Sequence, residues 1–175
     1  MADEKKEKWL NYLSLTTVLI AVCATLATFK GGGYSTKSLL SQSKASDQWA
    51  YYQSKSIKSY IYEMQKENLE LQVNNALNGS NTLDLKKRID MYAEKLKKYD
   101  TEKEQISAEA KSFELIRDES KSHSERFGLA VIFLQVSILL SSISALTKKK
   151  VLWIVSMAIG LVGVVYFFNG FFVFF

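Results

Sequence analysis

The 175-residue sequence has no proline, one cysteine, one histidine and eight glycines. Without proline, nothing obligatorily breaks a helix interior or a sheet ladder, so long elements are permitted, though not required. Cys23 alone cannot close an internal disulfide. Cys23 and the distant His123 do not match the clustered ligands of a zinc or iron–sulfur site, and no metal or cofactor is implied. Residues 9–29, 127–146 and 151–175 contain no Asp, Glu, Lys or Arg. Proton relays and coupled ion paths use ionisable groups at membrane depth, so a pump or coupled transporter is disfavoured. A strongly basic field is also missing. The net charge is +5, and residues 30–126 carry 17 basic against 15 acidic side chains. Nucleic acid therefore has no electrostatic footprint on the chain.

What is present is a sharp segregation of apolar from charged sequence. A spanning helix needs about 20 apolar residues. Residues 9–29, 127–146 and 151–175 each supply that length. The chain is expected to be an all-α membrane protein with three transmembrane helices. A polar tail occupies 1–8, a long antiparallel coiled-coil hairpin fills 30–126, and a short basic loop joins the last two spans at 147–150. The first segment is longer than a usual signal core and lacks a small-x-small cleavage site, so an uncleaved anchor is expected. Lys148, Lys149 and Lys150 lie in the short loop, and short basic loops stay in the cytoplasm. The tail is then cytoplasmic, with the hairpin and C-terminus on the outer side of a bacterial inner membrane. Lys30 and Arg126, which flank the spans on that outer side, run mildly against this orientation.

Within the hairpin, Gly31-Gly32-Gly33 predicts a joint after the first span. It is not a phosphate loop, because that motif needs Gly-Lys-Ser/Thr after a strand. One arm is expected over 35–77, a turn at Asn78-Gly79-Ser80-Asn81, and a second arm capped by Asn81 or Thr82 with Asp84 in its first turn. The second arm has a 4–3 spaced seam: Leu85, Ile89, Tyr92, Leu96, Tyr99, Lys103, Ile106, Ala110 and Phe113. Such spacing is a coiled-coil heptad, and nothing after Phe113 forces a break before the second span. On the first arm the apolar stripe is Trp49, Tyr52, Ser56, Tyr60, Met64 and Leu71. Tyr51, Ile57, Ile61 and Tyr62 lie off that stripe, and this surplus predicts a homo-oligomer.

Each span also has a small or weakly polar face: Thr17, Ala21, Ala24 and Thr28; Ser137, Ser141 and Ser144; Ser156, Gly160 and Gly163. Small faces let helices approach closely in lipid, where apolar burial supplies no drive. Gln135, Ser137, Ser141, Ser144, Gly160 and Gly163 are the candidate membrane-packing residues. Gln135 is expected to hydrogen-bond between helices.

The densest segment is residues 45–58, ASDQWAYYQSKSIK. It resembles the hallmark stretch of a bacterial membrane-protein family, domain of unknown function 4337. The likeness extends to the first span, to Leu134-Gln135-Val136, and to the loop from Leu146 to Lys150 leading into Trp153. It implies a bacterial membrane and no activity. The histidine-rich tail associated with such proteins is absent here, so no metal role carries over. Asp47, Gln48, Trp49, Tyr51, Tyr52, Lys55 and Lys58 form the candidate oligomer or partner surface, since Trp and Tyr combine large area with a polar handle. Asp47 has no nearby second carboxylate or histidine in sequence, so catalysis is not expected. The function expected is a structural or scaffolding homo-oligomer in contact with membrane lipid, with an envelope partner left open. The alternative is a channel or pore-forming assembly, since hydroxyl-lined pores need no charge.

Overall fold

A computed structural model describes residues 2–75 and 82–174, with side chains for 9–75 and 82–174. The described residues form three helices and no strand: α1 (Ala2–Asn75), α2 (Thr82–Thr147) and α3 (Lys150–Phe172). Each holds an apolar window long enough to cross a membrane by length and composition. The predicted turn at Asn78–Asn81 lies outside the described residues. The chain divides into two compact units, Met1–Leu40 with Arg117–Phe175, and Ser41–Ile116.

The joint expected at Gly31–Gly33 is absent, because α1 continues through it as helix. Glycine costs a helix only about 1 kcal/mol per residue relative to alanine, and flanking turns propagate cooperatively. Packing explains one of the three glycines. A Cβ on Gly31 would stand 3.0 Å from the Phe127 Cβ, whereas Gly32 and Gly33 face open space. The first span and the first arm are therefore one helix, and α2 likewise runs from the second arm into the second span.

A seven-residue repeat organises what α1 buries. Leu13, Ile20, Ala27, Tyr34 and Ser41 form one series, and Ala24, Gly31, Ser38, Ala45, Tyr52 and Ser59 the other; all are buried or half-buried. The expected small face of α1 is thus offset. Ala24 belongs to the buried face, but Thr28 is exposed and donates to the Ala24 carbonyl at 2.9 Å. In α2 the predicted seam from Leu85 to Phe113 is buried or half-buried at every position, and the spacing continues through Ser120, Phe127, Leu134 and Ser141.

The core of the first unit centres on Phe127, which is fully buried. Phe167 and Phe171 meet its ring edge-on, with centroids 6.1 and 5.0 Å away. Gly31 on α1 and Gly170 on α3 abut the same side chain. Further along, Gly163 sits against Leu134, and Gly160 against Ser137 and Ile20. The Trp153 indole donates to Thr16 Oγ1 at 3.3 Å, and its ring lies 6.2 Å from that of Trp9. Only Lys148 and Lys149 separate α2 from α3. Lys148 turns the chain at φ 55°, and Ser144 Oγ donates to the Lys149 carbonyl at 2.9 Å.

Glycine substitutions should separate close approach from open space. In Gly170→Ala the new Cβ would fall 2.8 Å from the rigid Phe127 ring, and in Gly163→Ala 3.0 Å from the Leu134 backbone nitrogen. Both variants should melt lower than wild type by circular dichroism in mild detergent. Gly32→Ala meets nothing and should stabilise the helix by up to about 1 kcal/mol. Equal melting temperatures for all three would contradict this packing.

Candidate functional site

In the second unit, the repeat places polar and aromatic side chains between α1 and α2, where large apolar ones are usual. Trp49 Nε1 donates to Glu114 Oε1 at 2.9 Å, and the Tyr52 ring packs edge-on against the indole at 5.6 Å. Lys44 lies 5.5 Å over the Phe113 ring. Two turns beyond Trp49, Lys55 donates to Glu102 Oε2 at 2.6 Å. Its ammonium also lies over the rings of Tyr51 and Tyr99, at 5.2 and 5.5 Å. Tyr62 then stacks on Tyr99 and tilts against Tyr92, with centroids 5.7 and 5.5 Å away.

These contacts sort the sequence candidates. Trp49 and Lys55 engage α2 within the chain, Tyr52 packs against the Trp49 indole, and Gln48 is half-buried on the same face. Asp47, Tyr51 and Lys58 are exposed. The first-arm stripe needs correction. Tyr60, Met64 and Leu71 are exposed, and the buried series runs instead through Tyr52, Lys55, Ser59, Tyr62, Lys66 and Leu69. Tyr62, taken as surplus from the sequence, is part of the seam. Its partners Tyr92 and Tyr99 were already in the predicted α2 seam, but Glu102 and Glu114 were not. A polar residue next to a seam carries no apolar signal, so only the pairing of the two helices exposes such partners.

The membrane-packing candidates fall into two groups. Ser137 Oγ donates to the Ser156 carbonyl at 2.7 Å, and the Ser141 and Ser156 hydroxyls share a hydrogen bond at 2.6 Å. Ser137, Ser141, Ser144, Gly160 and Gly163 are all buried. Gln135 is exposed instead, and no bond to α1 or α3 holds it. It lies one residue past Leu134, which takes the buried heptad position, and a step of about 100° per residue rotates its side chain off that face. Sequence reasoning also passed over His123, whose Nδ1 donates to the Gly170 carbonyl at 2.8 Å and whose ring stacks on Tyr34 at 4.5 Å.

Chemically, these contacts pair α1 with α2 through an ion pair, an indole hydrogen bond and stacked rings. Among the described residues no three His, Cys, Asp or Glu side chains could hold a metal ion. The Lys55 ammonium holds the Glu102 carboxyl below its ordinary value, and Glu102 followed by Tyr51 raises Lys55. A carboxyl lowered by folding contributes stability above its unfolded value, and that contribution is lost as pH falls through the folded value. As pH falls below the ordinary carboxyl value of 4.5, the second unit should therefore lose stability. Glu102→Gln should flatten that acid limb in melting curves taken between neutral and acidic pH. A limb of unchanged slope would mean that Lys55–Glu102 does not carry it.

A family model described as Domain of unknown function (DUF4337) matches residues 9–173. No curated protein and no solved structure matches the chain.

Proposed function

The chain belongs to that family, and we propose that it is a multi-pass membrane protein acting as a structural homo-oligomer through a coiled-coil hairpin. Three apolar windows free of charge support insertion. An antiparallel hairpin is supported by the order of partners. Trp49, Lys55 and Tyr62 on α1 meet Glu114, Glu102 and Tyr92 on α2, one series rising as the other falls. Two helices with heptad seams and short polar pairs at fixed levels would hold one register.

One observation carries the oligomer. Ile57, Tyr60, Ile61 and Met64 form a stripe that resumes at Leu71 beyond Glu67 and Asn68, and these five side chains are between 49% and 63% exposed. Ile57, Met64 and Leu71 repeat every seven residues, so the stripe is a second heptad face beside the occupied one. A lone soluble hairpin would carry charge there, and a second copy supplies the matching surface under twofold symmetry. The serine face that would favour a pore bonds α2 to α3 within one chain, so the scaffold reading is preferred. No catalytic role is proposed.

Native mass spectrometry of the full chain from lipid nanodiscs tests the assembly. The wild type should appear as an oligomer, and Tyr60→Glu with Met64→Glu should weaken association about tenfold or more, because each charge would be buried unpaired. Helix content should not change. A wild-type monomer in every lipid tested would end the proposal.

Orientation has its own test. With the basic 148–150 loop cytoplasmic, a cysteine at Gln65 in a Cys23→Ser background should react with an impermeant thiol reagent on intact spheroplasts. A cysteine at Lys149 should not. The reverse pattern would invert the topology.

A further inference from the structure

Gly32 and Gly33 are not required by packing among the described residues. A Cβ at either would meet nothing within 4 Å, so no neighbour demands glycine, yet two adjacent glycines weaken a helix. Their effect is an open hollow of about 630 Å3 on α1, lined by Phe29, Lys30, Gly32, Gly33, Tyr34 and Lys37 among others. Lys30, Gly33 and Lys37 are spaced i, i+3, i+7 and share one helix face, so two ammonium groups flank a stretch of bare backbone. Both lysines are exposed, and neither has an ion pair among the described residues. No acidic residue occurs anywhere from 8 to 46, and none lines the hollow. On the side toward the apolar window, the same face continues as Leu26 and Val22, with Phe29 beside it; all three are exposed.

An apolar strip that runs straight into a two-lysine notch matches one kind of molecule, with acyl chains at one end and a negative headgroup at the other. We propose that this hollow seats the headgroup phosphate of an anionic phospholipid between Lys30 and Lys37, with its chains along Val22, Leu26 and Phe29. Gly33 leaves room for the headgroup against the helix, where any longer side chain would fill the space. A second copy is the poorer occupant, because twofold packing here would bring the same uncompensated lysines together. The inference rests on the membrane reading above and adds to it a specific lipid site at the polar end of the first span.

The test uses the full chain in nanodiscs of phosphatidylcholine alone or mixed with phosphatidylglycerol, with retained lipid read by native mass spectrometry. Wild type should retain phosphatidylglycerol in preference to phosphatidylcholine. Lys30→Gln with Lys37→Gln should lower that preference about fivefold for each lysine. Gly33→Leu keeps both charges, its Cβ meets nothing within 4 Å and leucine favours helix, so it should fold and still lose the lipid. Lys148→Gln with Lys149→Gln, at the far end of α2, should leave retention unchanged. A preference that survives both notch variants, or that falls only in the loop variant, overturns the proposal. Displacement of the lipid by millimolar inorganic phosphate would assign the notch to a free anion and overturn it as well. A chain that remains soluble without detergent or lipid defeats the membrane reading itself. One that reconstitutes yet retains no anionic lipid defeats only this site.

Discussion

Close backbone approach at glycine, filled by one large side chain from the facing helix, is the constraint on which the first unit depends. Phe127 can be fully buried because α1 offers Gly31 and α3 offers Gly170 at the same level. Leu134 against Gly163 repeats the arrangement. In lipid, apolar burial gives helices no reason to associate, so van der Waals contact at such positions has to supply the attraction. The serine bonds between α2 and α3 add direction to it, and the His123 bond to Gly170 holds the end of α3 against the same layer.

The second unit meets the same spacing with different chemistry. Its seam alternates small residues, Ala45 and Ser59, with long polar or aromatic ones, Trp49, Lys55 and Tyr62. Ion pairs on exposed helix surfaces contribute little, and Lys121–Glu125 of the first unit belongs to that class. Lys55–Glu102 differs because it spans two helices and is boxed by tyrosine rings. Polar groups at such places favour a single register more than they raise stability.

Legibility from sequence followed side-chain size. The α2 seam was readable from Leu85 to Phe113 because large apolar residues occupy its heptad positions. On the α1 arm those positions include Ser41, Ala45, Lys55 and Ser59, while Tyr60, Met64 and Leu71 sit on the open face. The most apolar stripe was therefore taken for the core. The glycine run misled in a related way. Local propensity predicts a joint, but packing at Gly31 and helix propagation on both sides override it. Of the candidate oligomer or partner surface, Trp49 and Lys55 instead meet α2 within the chain. Their partners Glu102 and Glu114 were hidden, because nothing in one strand of sequence states which residues stand opposite. The hollow at Gly32 and Gly33 is out of reach for the same reason, since only the folded chain distinguishes a crowded glycine from an open one.

Two lysines are all that join α2 to α3, one of them in the left-handed region, and their shortness bears on biogenesis. In a bilayer, helices joined so tightly would leave the translocon as a pair, because neither has slack to wait far from the other. The hydroxyls of Ser137 and Ser141 would then meet the carbonyl and hydroxyl of Ser156 before they met hydrocarbon. Synthesis would thus spare the chain a stage at which three polar groups stand unpaired among acyl tails.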